Sequence, residues 1–324
     1  MMARRRSMRT LLCGVLLAVC APAALASNEA GVVQLQIDAA AFAPEKIAVT
    51  VYLPPDYDHA AARRYPVLYA NDGQDMGAVG LQPALAQLYR DKAIAPVIVV
   101  AIRMLADRAS GYGLSDRAAA RSLVGGSPIG PIGTRAQDYS AWVATALVPY
   151  VDAHYRTRKS ARARTMLGWS LGALNAFNLG WQYPEVFGQV GAFSPSFWLA
   201  ADRSSATAVQ HTRLAQAMVD RARKRAGLRM WFAVGTAEET RDRDGDGIND
   251  TVDDTQDLLQ GYRGADGFRL RGLKQLGYTV NLDVARHPSR HADATLFLLQ
   301  GGVHNQASWK RMLPVFLRWA CGRH

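Results

Sequence analysis

Gly168-Trp169-Ser170-Leu171-Gly172 sets a serine between glycines two residues away on either side, after apolar Thr165–Leu167 and before the small-residue run Ala173–Leu179. A strand, a sharp turn and a helix are implied, and such a turn holds its serine in a strained conformation with the hydroxyl exposed. Side chains at 168 and 172 would collide with neighbouring chain. A serine attacks an acyl carbon only with a base beside it and an acid behind that base. His287, His291, His304 and His324 follow Ser170 with room for an acid between. His304 fits best, because Leu296–Leu299 reads as a final strand, Gly301-Gly302-Val303-His304 as the loop beyond it and Asn305–Trp319 as a closing helix. The acid is expected just past the strand Met230–Val234, at Glu238 or Glu239; adjacent side chains point apart, so one of them serves. Donors for an oxyanion are expected from the backbone N–H of Leu171, at the start of the helix, and of Gln74, in the turn Asn71-Asp72-Gly73-Gln74-Asp75 after the strand Val67–Ala70.

A second pattern follows the acid. From Asp242 the chain carries Asp242, Asp244, Asp246, Asp250 and Asp253 at loop positions 1, 3, 5, 9 and 12, with Gly247 at position 6 and the Ile248 carbonyl at 7. That is the ligand order of an EF-hand-type calcium loop, with Asp253 replacing the usual bidentate glutamate. A structural Ca2+ is expected there. No pattern for an organic cofactor is present.

These groups need a scaffold that brings distant chain together. Short β-branched runs at Val67–Ala70, Ile98–Ile102, Thr165–Gly168, Val190–Phe193, Met230–Val234, Val280–Val284 and Leu296–Leu299 alternate with helical patterns. The alternation predicts an α/β fold, a mostly parallel central sheet with helices on both faces. Val33–Ile37 and Ile47–Leu53 alternate apolar with polar residues as an antiparallel edge hairpin does. A helix is predicted from an N-cap at Asp138 through Val151, kinked by Pro149. No repeat or linker divides the chain, so residues 27–324 are expected to form one domain with a calcium-loop insertion at about 239–254.

Arg4, Arg5, Arg6 and Arg9 precede the apolar stretch Leu11–Ala24 and the small-residue site Ala24-Leu25-Ala26, which reads as a signal peptide over residues 1–26. A periplasmic or secreted protein is expected. Its removal takes away four arginines, lowering the net charge from +11 to +7, and leaves Cys321 as the lone cysteine, so no internal disulfide is possible. No later run is long and apolar enough to span a membrane, and no nucleic-acid motif is present.

Val51-Tyr52-Leu53-Pro54-Pro55-Asp56-Tyr57, Tyr65-Pro66-Val67-Leu68-Tyr69, Asp72-Gly73-Gln74, Val148-Pro149-Tyr150-Val151-Asp152, the Gly168–Gly172 string, Ser194-Pro195-Ser196-Phe197-Trp198 and Gly302-Val303-His304 together resemble the putative esterase family of α/β-hydrolases. That family includes S-formylglutathione hydrolases, siderophore esterases of the enterobactin type, feruloyl and acetylxylan esterases, and mycolyltransferases. The resemblance implies the α/β-hydrolase fold, a triad of Ser170, His304 and Glu238 rather than Glu239, and Gln74 as second oxyanion donor. It implies a serine esterase acting through an acyl-enzyme on a small-molecule, carbohydrate or siderophore ester. Acyl transfer by the same triad is the alternative, and a non-catalytic binding protein on a hydrolase fold is the alternative of another class. Trp169, Trp198 and Tyr112 are candidate walls of an aromatic site; Arg103, Arg108, Arg117 and Arg121 are candidate anion contacts.

Overall fold

The computed structural model describes residues 31–104, 107–128, 130–287 and 291–322. The expected leader, residues 1–26, and His324 lie outside them.

Thirteen strands run β1 (Val32–Asp38), β2 (Lys46–Tyr52), β3 (Val67–Ala70), β4 (Ile98–Ile102), β5 (Leu114–Asp116), β6 (Arg121–Leu123), β7 (Arg164–Trp169), β8 (Gln189–Phe193), β9 (Arg229–Gly235), β10 (Tyr262–Arg263), β11 (Arg269–Leu270), β12 (Val280–Asn281) and β13 (Ala294–Leu299). Nine of them form one sheet in the order β1-β2-β4-β3-β7-β8-β9-β13-β12. β1 pairs antiparallel with β2 and β2 with β4, while all pairings from β4 to β12 are parallel. This is the α/β-hydrolase arrangement, with the expected antiparallel hairpin at one edge.

Alternate residues of each strand enter different cores, as a pleated strand requires. Tyr69, Val100, Met166, Val190 and Phe232 face one core. Leu68, Val99, Leu167, Phe193 and Trp231 face the other. The second core is closed by α1 (Leu81–Arg90) and α9 (Gln306–Cys321). On the opposite face lie α3 (Ala136–Trp142), α4 (Val148–His154), α5 (Leu171–Gln182), α7 (Leu214–Asp220) and α8 (Asp250–Gln260). The single turn α2 (Arg108–Gly111) precedes β5, and α6 (Ala206–Thr212) precedes α7.

Three boundaries differ from the sequence expectation. The helix expected from Asp138 begins at Ala136, with Asp138 inside its first turn and paired with Arg135 at 3.5 Å. Its interruption is a π-helical stretch, Val143–Leu147, ending two residues before Pro149, whose missing N–H cannot continue the ladder. The strand expected over Val280–Val284 stops at Asn281, because the Asn281 side chain accepts from the Asp283 N–H and that of Asp283 from the Arg286 N–H. Side-chain turns of this kind compete with a strand ladder.

Candidate active site

β7 ends in the serine turn. Ser170 has φ 56° and ψ −126°, a region costly to any residue with a side chain. Neighbouring glycines make the turn possible: a Cβ at Gly168 would lie 2.1 Å from the Gly172 carbonyl oxygen, and one at Gly172 would lie 2.5 Å from Asp72 Oδ2. Leu171 is the first residue of α5, so its N–H has no intrahelical acceptor and points out of the helix N-terminus beside Ser170.

The loops after β9 and β13 meet this turn. His304 Nε2 lies 3.1 Å from Ser170 Oγ, and His304 Nδ1 lies 2.9 Å from Glu238 Oε2. With Nδ1–H donating to the carboxylate, the Nε2 lone pair faces the serine hydroxyl. The Glu238 side chain is fully buried, and an isolated carboxylate there would be costly. Its Oε1 accepts from the Ser194 hydroxyl at 2.5 Å and from the Gly235 N–H at 2.7 Å, so both oxygens are engaged. Glu239 points elsewhere, accepting from Arg241 Nε at 2.7 Å and the Thr251 hydroxyl at 2.5 Å. The two open alternatives are therefore separated by geometry: only Glu238 reaches His304.

Gln74 lies in the helical turn Gly73–Asp75 that follows Asp72, itself at φ 55°. A buried network fixes this loop against the serine turn. Asn71 Nδ2 donates to the Gly172 carbonyl at 2.9 Å, the Tyr139 hydroxyl donates to Asn71 Oδ1 at 2.8 Å, and the Asp72 N–H donates to the Tyr112 hydroxyl at 2.9 Å. Arg108 grips Asp72 with Nε to Oδ1 and Nη2 to Oδ2, both at 2.7 Å, and also reaches the Trp169 carbonyl at 3.2 Å. Burial by itself would lower the guanidinium pKa, but the Asp72 carboxylate raises it above its ordinary value.

The aromatic candidates are placed differently from the expectation. Trp169 is buried, donates from Nε1 to Asp75 Oδ2 at 3.0 Å and stacks on Trp309, because strand alternation turns it into the core under α9. Tyr112 is fully buried in the network around Asp72. Trp198 is half-buried with Arg203 over its ring. Among the arginines, Arg108 is held by Asp72, Arg117 pairs with Glu185 at 2.5 Å, and Arg121 lies 3.8 Å from Asp116. Arg103 is exposed and, among the described residues, pairs with no carboxylate. It lines a groove of about 790 Å³ with Gln74, Gln36, Thr50 and Tyr150, so this groove opens beside the expected oxyanion loop. Neither Ser194 nor the Arg108–Asp72 pair was legible as part of the site, since no spacing in the sequence relates them to it.

The acidic loop places one carboxylate oxygen each from Asp242, Asp244 and Asp246 within 4.8 Å of one another. Asp242 accepts from the N–H groups of Gly245 at 2.8 Å, Asp246 at 3.2 Å and Gly247 at 2.9 Å. Asp250 is turned away to Arg243, whose N–H donates to Oδ1 at 2.8 Å and whose Nη1 lies 3.0 Å from Oδ2. Asp253 is buried in the first turns of α8, beyond the three-carboxylate cluster.

A family model described as Putative esterase matches residues 40–267, well over half of the chain. The chain belongs to the putative esterase family. An uncharacterized protein of Bacillus subtilis (strain 168), YjcH, is 29% identical to it over 156 residues, covering 47% of this chain and 56% of that protein. The chain thus matches little more than half the length of this curated relative. Among solved structures, a ferulic acid esterase superposes on this family member with a TM-score of 0.61 at 16% identity, covering 90% of this chain and 97% of that one. The enterobactin esterase FES from Shigella flexneri superposes with a TM-score of 0.62 at 17% identity, covering 91% and 60%. At these identities the structures establish a shared fold, the α/β-hydrolase scaffold described above.

Proposed function

We propose that this chain is a serine esterase, with Ser170 as nucleophile, His304 as general base and then acid, and Glu238 as the carboxylate that orients and stabilises the imidazolium. The observation that carries this reading is the unbroken line from Ser170 Oγ through the His304 ring to Glu238, at 3.1 and 2.9 Å, ending on a buried carboxylate. Ser170 Oγ attacks the ester carbonyl carbon as its proton passes to His304 Nε2. The N–H groups of Leu171 and Gln74 stabilise the oxyanion. His304 then protonates the leaving alkoxide, and a water activated by the same ring releases the acid from the acyl-enzyme.

The groove beside Gln74, with Arg103 on its wall, supports an ester bearing a sizeable polar group. Likeness to a ferulic acid esterase and an enterobactin esterase is compatible with this class. Residues 1–26 support export to the periplasm or beyond. A fluorophosphonate probe tests the central claim. Stoichiometric adduct at Ser170, identified by peptide mass, is expected; a folded protein that takes no label rejects it.

A further inference from the structure

The loop before α8 does no work in the mechanism above, yet its charges are arranged in two unequal sets. Asp254 and Asp257 are neutralised by Arg213, and Asp250 and Asp254 by Arg243. Asp242, Asp244, Asp246 and Asp253 have no Arg, Lys or His within ion-pair distance among the described residues. The first three converge from the loop, where Gln210 Nε2 also meets Asp244 Oδ2 at 3.2 Å. Asp253 supplies an independent sign of a missing partner. It is only 7% exposed, its Oδ2 has no hydrogen-bond partner, and it stands in the first turn of α8 at the twelfth position, where such loops carry their closing ligand. A buried acid crowded by other acids is stabilised by a cation that they share.

We propose that Asp242, Asp244, Asp246, the Ile248 carbonyl and Asp253 bind one calcium ion, and that the ion fixes the turn carrying Glu238. Hard oxygen donors on a flexible loop suit Ca2+ rather than Mg2+, which demands stricter octahedral geometry. Asp250 is left out of the ligand set, because its carboxylate is already ion-paired with Arg243. The link to the active site is structural and short. Asn249, inside the loop, donates from Nδ2 to the Thr236 carbonyl at 3.1 Å, and the Thr251 hydroxyl donates to Glu239 at 2.5 Å. Thr236 and Glu239 flank Glu238. Ordering the loop therefore restrains the turn from both sides, and the ion acts by positioning, without touching the reacting atoms.

The test uses the full chain after chelation, titrated with CaCl2 alone and, separately, MgCl2, by calorimetry, thermal unfolding and amide hydrogen exchange. One saturable calcium site is expected, with roughly micromolar to millimolar Kd and weaker magnesium binding. At a hundredfold excess over Kd, Tm should rise by about 5 °C and amides of residues 235–239 should exchange more slowly. Asp242→Ala with Asp246→Ala should abolish these responses. The near-isosteric Asp253→Asn should weaken binding about tenfold or more while remaining folded. On p-nitrophenyl acetate, calcium should raise kcat with little change in KM. Absence of saturable binding, or binding unaffected by these variants, overturns the site. Binding that leaves exchange at 235–239 unchanged overturns its coupling to Glu238. Binding and exchange are read without substrate, so their failure is distinguishable from failure of the esterase reading.

Discussion

The Ser194 hydroxyl donates to Glu238 Oε1 at 2.5 Å and at the same time accepts the Trp309 Nε1–H at 2.9 Å, so one side chain joins the acid to the closing helix. Ser194→Ala leaves a buried indole N–H unpaired and removes one of the donors that aim the carboxylate at His304. The expected result is a loss of about 1–3 kcal/mol in unfolding free energy and a roughly tenfold lower kcat, with KM little changed. Denaturant unfolding and steady-state kinetics on one preparation would check both; unchanged kcat would mean Glu238 keeps its aim without Ser194.

Glu238→Gln and Glu239→Gln separate the two neighbouring acids. The first removes the charge that favours the imidazolium and disturbs the Nδ1–H tautomer, and is expected to lower kcat by about 100-fold or more. The second breaks contacts to Arg241 and Thr251 on the far side of the turn, and is expected to cost less than about fivefold. The opposite order in kcat would reverse the assignment of the acid.

Ser170→Ala and His304→Ala should each lower kcat by several orders of magnitude, and the double variant should be little worse than either, because the two act as a unit. Ser170→Gly should be equally inactive but more stable by about 1 kcal/mol, since glycine takes φ 56° without the steric cost borne by serine. Steady-state kinetics and thermal melts of the four variants against the parent chain provide the comparison.

Asp72 is 1% exposed in its side chain, and Arg108 is the cation that neutralises it. Arg108→Ala strands that carboxylate and is expected to destabilise the protein by about 3 kcal/mol or more. Asp72→Asn should cost less in the Arg108→Ala background than in the parent, because the stranded charge is gone. Arg108→Lys should not restore stability, since a lysine cannot supply two parallel donors and reach the Trp169 carbonyl. An additive double-mutant cycle would contradict the pairing.

Cys321 closes α9 and is 7% exposed; burial pushes its thiol up to about 12. The thiolate fraction at pH 8 is then about one in ten thousand. In a chain starting after Ala26, where Cys321 is the lone cysteine, Ellman's reagent should react slowly with native protein and rapidly after denaturation. Prompt reaction in the native state would show that the end of α9 opens readily.

Local chemistry was written into the chain. Apolar runs of strand length, the glycines around Ser170, the histidine beyond the last strand and the aspartates from Asp242 onward depend on near neighbours, so they could be read from spacing. Other features bring together residues far apart in sequence. Glu238 and His304 are 66 positions apart, Ser170 and His304 134, and Ser194 and Trp309 115. Spacing along the chain gave no way to choose between Glu238 and Glu239; the family resemblance favoured Glu238, and the packed turn shows which carboxylate faces the imidazole. The same holds for Arg108, whose charge meets Asp72 rather than a substrate, and for Trp169, which the pleat of β7 turns into the core rather than the cleft. Sequence determined which groups were available and roughly where each strand would deliver them; the fold decided which way they point, because orientation is set by packing between elements that the linear order does not join.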